Sequence, residues 1–163
     1  MLGIDPGFAN TGYGVVEARA GRLSVCGAGT ITTAPGQPLA ERLAALFRDV
    51  DALLAEYRPS AVALEELYFG QNASSAMVVG QARGVVLAAA GLRGVPATGF
   101  TPQQVKQAVC GSGRADKDQV ARMVRSRLGL ADGRMPDHAS DALAVALCHI
   151  DRAPLAKRLA VAS

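Results

Sequence analysis

The sequence predicts an α/β protein with a five-stranded mixed sheet that is covered by helices on both faces. Three segments rich in Val, Ile, Thr and Tyr come first along the chain, and helical and strand patterns alternate after Pro38. The run Ala61–Leu64 is apolar throughout, which is typical of a strand buried on both of its faces. This order of elements alone is compatible with several α/β folds.

The predicted strands are short and end at turns. Leu2–Asp5 is the first, because its apolar residues stop at Pro6-Gly7. The remaining strands are predicted at Thr11–Glu17, Leu23–Thr32, Ala61–Glu65 and Val95–Phe100.

Five helices are predicted between and after these strands. The first has apolar residues at spacings of three and four, and a Thr-Pro pair marks the start of the third. The predicted helices cover 38–57, Ala73–Leu92, a short stretch after Thr101-Pro102, Asp116–Leu128, and a last segment from Pro136-Asp137 to about Asp151.

The bulk composition is that of one compact domain. The chain has 163 residues, half of them apolar, which is enough for a single core. We expect one domain at 1–153 and a short C-terminal tail at 154–163. No apolar run is long enough to cross a bilayer and no signal-peptide pattern opens the chain, so a cytoplasmic location is expected. The three cysteines have no metal-ligand spacing.

Charge is distributed unevenly along the chain. Residues 1–82 hold five Lys or Arg against eight Asp or Glu, a balance of −3, whereas residues 83–134 hold nine against three, a balance of +6. An acidic half that supplies carboxylates beside a basic stretch that meets phosphate suits a nuclease. A solvated basic face is the alternative interpretation of the second stretch.

Potential metal-binding residues stand where three apolar elements begin or end. Asp5 and Glu65 each end an apolar strand, and His138 and Asp141 lie three residues apart in the first turn of the last helix. Singly, each residue has an ordinary structural explanation as a turn former, a surface charge or a helix-dipole partner. Together they predict a cation site, because clustered carboxylates repel one another unless they bind a cation.

Seven blocks of residues stand in a recognisable order along almost the whole chain. They are Gly3-Ile4-Asp5-Pro6-Gly7, Thr11-Gly12-Tyr13-Gly14, Glu65, Asn72-Ala73-Ser74-Ser75-Ala76, Gly80-Gln81-Ala82-Arg83-Gly84-Val85, Val105-Lys106-Gln107 and Asp141-Ala142-Leu143-Ala144. Their order and spacing resemble those of RuvC-type Holliday-junction resolvases. The resemblance implies a ribonuclease-H-like fold, a homodimer, and metal-dependent cleavage of four-way DNA junctions in recombination and repair, with 5′-phosphate and 3′-hydroxyl products. It also implies partnership with a branch-migration motor complex.

The same resemblance assigns the metal ligands. The family holds its metal with an Asp on the first strand, a Glu on the fourth and two acidic residues at the start of the last helix, which correspond here to Asp5, Glu65, His138 and Asp141. His138 departs from the acidic pattern, and the neighbouring Asp137 is an alternative third ligand. Two Mg²⁺ or Mn²⁺ ions per active site are expected, because a pair of ions supplies the charge stabilisation that phosphodiester hydrolysis needs.

The predicted DNA contacts are basic and aromatic. Lys106 and Lys117 match family positions that look like phosphate binders, and the basic track extends to Arg83 and Arg114. Arg122 and Arg125 are either part of this track or an ordinary solvated helix face. Tyr68 matches an aromatic position that probes the opened junction centre, with core packing as the alternative.

Small residues at Gly80, Gly84 and Ala88 recur every four positions on one helix and allow close approach of the protein's own sheet or of a second copy. A two-fold dimer suits symmetric cutting of two strands, and this helix is the predicted seam.

Two rival functions are considered. The Asp-Pro-Gly hairpin is similar to that of actin-like ATPases and sugar kinases, whose second lobe this chain is too short to supply. A non-catalytic junction-binding protein is the other rival.

Overall fold

The computed structural model describes residues 1–7, 9–66, 73–131 and 135–161, with side chains for all of these except 73–75 and 153–161. Its five strands are β1 (Leu2–Asp5), β2 (Asn10–Arg19), β3 (Arg22–Thr32), β4 (Val62–Glu65) and β5 (Ala97–Phe100). Its helices are α1 (Leu39–Tyr57), α2 (Ala73–Leu92), α3 (Pro102–Cys110), α4 (Lys117–Leu128) and α5 (Asp137–Val161).

The strands form one mixed sheet in the order β3-β2-β1-β4-β5. β1, β2 and β3 pair in antiparallel fashion, whereas β4 is parallel to both β1 and β5. Because Ile4 pairs with Leu64 in the β1/β4 ladder, the next residues, Asp5 and Glu65, emerge side by side at one edge. The order and directions are those of the ribonuclease-H-like fold, as the resemblance implies.

The two faces of the sheet bury two separate cores. Leu2, Ile4 and Leu64 pack with α1 and α2 on one face. Ala63 packs with α3, α4 and α5 on the other, where Leu143 is fully buried. Since side chains alternate along a strand, Asp5 and Glu65 share the parity of Gly3 and Ala63 and therefore face the α5 side.

Glycines allow α5 to lie directly on β1 and β2. A Cβ on Gly3 would come within 2.0 Å of the Ala142 carbonyl oxygen, and one on Gly12 within 1.9 Å of the His138 carbonyl oxygen. No side chain fits at these distances, so only glycine permits this contact. The close approach fixes the N-terminus of α5 beside Asp5, whose strand partner is Gly12.

The predicted elements are confirmed in kind and order, and most boundaries agree within two residues. The last helix was expected to end near Asp151, which is wrong: α5 continues to Val161. Its final residues include Leu, Ala, Lys and Arg, which have high helix propensity, and these outweigh the Pro at position 154. The division into a domain at 1–153 and a tail at 154–163 stays a prediction. Within the described ranges, no helix is long and apolar enough to cross a membrane.

Candidate active site

Four predicted ligands are positioned by three elements at one edge of the sheet. Asp5 ends β1 and Glu65 ends β4, while the first turn of α5 carries His138 and Asp141. The two strands are parallel neighbours and α5 crosses them directly, so residues far apart in sequence meet here. His138 and Asp5, for example, are in contact although 133 positions separate them.

The His138 ring is held by Asp5. Its Nδ1 lies 3.0 Å from Asp5 Oδ2, and the Asp5 side chain is largely buried while 44% of the imidazole is exposed. With Asp5 ionised, Nδ1–H donates this bond, which leaves the lone pair of Nε2 available to a ligand. A histidine that binds a metal through one ring nitrogen commonly donates the other N–H to a carboxylate in this way.

The carboxylates raise one another's affinity for protons. The pKa of Glu65 is raised from 4.5 to about 7, first by burial and then by the negative charges of Asp5 and Asp141. Burial also raises the pKa of Asp141. The nearby Lys117 ammonium lowers this pKa and so offsets part of the rise. Such a cluster is costly to keep ionised without a cation, so the site is suited to bind positive charge.

Two lysines share a cavity with two of these carboxylates. The cavity has a volume of about 250 Å³, and its polar lining comprises Glu65, Asp141, Lys106 and Lys117. Pro102, Val105, Val120 and Ala144 form its apolar wall. Lys117 Nζ lies 3.0 Å from Asp137 Oδ2 and 3.6 Å from Asp141 Oδ2.

The donor set fits a hard divalent cation, although the side chains are paired with each other. Among the residues that the structure describes, no three Asp, Glu, His or Cys side chains are grouped closely enough to hold one ion as they stand. Asp5 is engaged with His138 and Glu65, and Asp141 with Lys117. Carboxylates are nevertheless ordinary ligands for Mg²⁺ and Mn²⁺, and an imidazole suits Mn²⁺ better than Mg²⁺.

Comparison with known proteins gives the family. The model of the family described as "Crossover junction endodeoxyribonuclease RuvC" matches residues 1–149. The chain belongs to this family. The RuvC protein of Moorella thermoacetica is 48% identical over 158 residues, which are 97% of this chain and 95% of that protein.

Two solved structures of Thermus thermophilus RuvC have the same fold. One has a TM-score of 0.87 at 41% identity and covers 95% of each chain. The other is described as RuvC in complex with Holliday junction substrate, with a TM-score of 0.86, 39% identity and 94% of each chain covered. RuvC family members are metal-dependent nucleases, so the predicted enzyme class and family are confirmed.

The predicted site residues of this RuvC family member do not all lie together. Asp5, Glu65, His138, Asp141, Lys106 and Lys117 converge at or beside the cavity. Arg83 lies elsewhere, next to Glu66 over the end of β5, where a Cβ on Gly99 would come within 2.8 Å of Arg83 Nη2. Tyr68 is outside the described residues.

Arg114 lies in a separate polar groove of about 730 Å³ on the other side of α3. Gln103, Gln107 and Arg152 line the same groove. The sequence predicted no DNA contact for these three residues, although Gln107 belongs to one of the family-like blocks. The sequence signal for this polar groove is the cluster of three Gln residues between 103 and 107, which a Gly-rich turn follows. The two candidates for the third metal ligand, Asp137 and His138, have different partners. The Asp137 carboxylate pairs with the Lys117 ammonium, whereas the His138 imidazole contacts the Asp5 carboxylate.

Proposed function

We propose that this chain is a divalent-metal-dependent endonuclease that resolves Holliday junctions by nicking two opposed DNA strands in recombination and repair. The observation that carries the proposal is the convergence of three carboxylates and an imidazole beside two lysines at one edge of the sheet. Family membership supplies the substrate, because a near relative of known structure is described with a Holliday junction bound.

Asp5, Glu65, His138 and Asp141 are the residues that would hold the metal, and Mg²⁺ or Mn²⁺ in a two-ion site is the proposed cofactor. Bound ions of this kind activate a water nucleophile and stabilise the charge on the departing 3′-oxygen. Asp5 orients the His138 ring through the Nδ1 hydrogen bond. Burial and the neighbouring carboxylates raise the pKa of Glu65 to about 7, so this carboxyl would release its proton near neutral pH if a divalent cation took the proton's place.

The lysines serve the DNA backbone in this proposal. Lys106 and Lys117 line the same cavity as Glu65 and Asp141, so a phosphate that enters meets both ammonium groups. Such contacts position the strand without reading its sequence. Products with 5′-phosphate and 3′-hydroxyl ends follow from attack by water with departure of the 3′-oxygen.

Arg83 and Arg114 are proposed as more distant contacts. Arg114 is exposed in a groove whose lining has no acidic residue, which suits a phosphate backbone. Tyr68 stays a predicted base-stacking residue at the opened junction centre.

A homodimer with α2 at its seam is the proposed assembly. Met77 and Leu92 are 68% and 77% exposed on this helix, and Leu87 is also exposed. Gly84 and Ala88 are exposed too, and a Cβ on Gly84 would meet nothing within 4 Å. The small-residue stripe therefore points away from the protein's own core, which supports contact with a second copy. A branch-migration motor as partner and a cytoplasmic location rest on family membership alone.

A synthetic four-way junction with labelled strands tests this function. The wild-type chain should nick two opposed strands only when Mg²⁺ or Mn²⁺ is added, and Asp5→Asn or Asp141→Asn should abolish nicking with junction binding largely kept. The carboxylates act on metal and transition state more than on ground-state affinity, which is why binding survives. Binding without nicking by the wild type in either metal would instead support the non-catalytic alternative.

A further inference from the structure

Lys117 stands at an unusual place for a cation. It is the first residue of α4, a helix capped by Asp116, whose Oδ1 accepts a hydrogen bond of 2.7 Å from the Gln119 backbone N–H. A positive charge in the first turn opposes the helix dipole, so α4 gains nothing from a lysine there. Its ammonium instead reaches across the cavity to α5, where it contacts Asp137 and Asp141.

The two contacts of Lys117 differ in kind. Asp137 is 76% exposed and gives the shorter contact, 3.0 Å, whereas Asp141 is the more buried partner at 3.6 Å. The Asp137 carboxylate therefore anchors the ammonium at the mouth of the cavity. From that position the ammonium opposes the rise in the Asp141 pKa that burial causes.

Lys106 provides a natural comparison within the same cavity. It lines the same walls and acts on Glu65 only as a nearby charge. Among the described residues it has no carboxylate within ion-pair distance. Of the two lysines, Lys117 is the one that is paired with carboxylates and can act as their counter-ion.

We infer that Lys117 is the resident counter-ion of Asp141, held in place by Asp137, and that it couples the binding of the divalent cation to the binding of DNA. The inference rests on the proposed function. A divalent cation at Asp141 must displace the ammonium, and a DNA phosphate offers that ammonium another partner. Each ligand removes Lys117 from Asp141, so each strengthens the binding of the other by the same factor.

The first test measures Mn²⁺ binding to the free protein, without DNA, by electron paramagnetic resonance of unbound Mn²⁺. Lys117→Gln should bind Mn²⁺ about three- to fivefold more tightly than the wild type, the size expected of one partly exposed ion pair. Lys106→Gln removes the same charge from the same cavity and should change the affinity less. Lys117→Arg keeps the charge and should bind as the wild type does.

Two results of this first test would overturn the counter-ion role. One is an unchanged or weaker Mn²⁺ affinity in Lys117→Gln. The other is an equal gain in Lys106→Gln, which would reduce the effect to general charge. The side chain of Lys117 is 59% exposed, so its variants should melt within about a degree of the wild type, and melting curves check this.

The second test measures the coupling itself. Junction affinity is compared in chelator and in Ca²⁺, at a Ca²⁺ concentration shown on a gel to leave the junction uncut. The gain that Ca²⁺ produces should be about three- to fivefold smaller in Lys117→Gln than in the wild type. Equal gains in the two proteins would overturn the coupling. A wild type that binds no junction at all would refute the proposed function as well, whereas the Mn²⁺ measurement would still decide the counter-ion role.

Discussion

Replacement of Glu65 by Gln should stabilise the metal-free protein while abolishing its use of metal. The Glu65 pKa of about 7, against an ordinary 4.5, means that the folded state holds a proton which the unfolded state releases between these pH values. Stability therefore falls as pH rises from about 4.5 to 7 and stays reduced above 7. The difference in pKa corresponds to a loss of at most about 3 kcal/mol in the free energy of unfolding. Because Glu65 is only partly buried, the expected loss is roughly 1 to 3 kcal/mol.

Thermal melting of the metal-free protein at pH 8 and pH 5 measures this effect. At pH 8, Glu65→Gln should raise Tm by about 2 to 12 °C, since each kcal/mol shifts the Tm of a domain of this size by about 2 to 4 °C. At pH 5 the gain should shrink, because the wild-type carboxyl is then mostly protonated. Saturating Mn²⁺ should raise the wild-type Tm, and most of that rise should be lost in the variant.

Glu66→Gln is the matched control, because Glu66 is the next residue, is exposed and lies over Gly99 on the opposite side of the sheet. It should change Tm little at either pH and should keep the response to Mn²⁺. The reasoning about the carboxylate cluster is refuted if Glu65→Gln melts at or below the wild-type temperature at pH 8. An equal gain at pH 5 and pH 8 would refute it as well, since the effect would then owe nothing to ionisation.

Two further predictions concern DNA and assembly. Lys106→Ala should weaken junction binding and lower the slope of log affinity against log salt by about one, and an unchanged slope in a salt titration would exclude a phosphate contact. Leu92→Asp should dissociate the proposed dimer in sedimentation experiments, because it puts a charge on the exposed face of α2. Leu39→Asp, at an exposed leucine of α1, should leave the assembly unchanged.

The sequence predicts where the ligands stand but not how they are paired. Asp5 and Glu65 end apolar strands, and that pattern alone brings them to the edge of a sheet. Their common face follows from side-chain alternation once the β1/β4 register is known. The Lys117 ion pairs were not predictable, because they depend on where the N-termini of α4 and α5 meet.

The close contact between α5 and two glycines could not be predicted from the sequence either. Gly3 and Gly12 are visible in the sequence as part of family-like blocks, but nothing local states that a helix backbone lies against them. That contact is set by packing between residues more than 120 positions apart, which no periodicity encodes. The length of α5 is a different case, because the prediction ended the helix near Asp151 although the segment that follows is rich in residues of high helix propensity.

His138 gives a prediction that separates the two candidate third ligands. Its ring is held by Asp5 through Nδ1, so Nε2 is the atom available to metal, and a nitrogen ligand suits Mn²⁺ better than Mg²⁺. His138→Asp would make the site all-oxygen, so the ratio of Mg²⁺-supported to Mn²⁺-supported nicking should rise. Asp137→Asn should preserve this ratio, since Asp137 is engaged with Lys117. A flat ratio in His138→Asp together with loss of nicking in Asp137→Asn would make Asp137 the ligand.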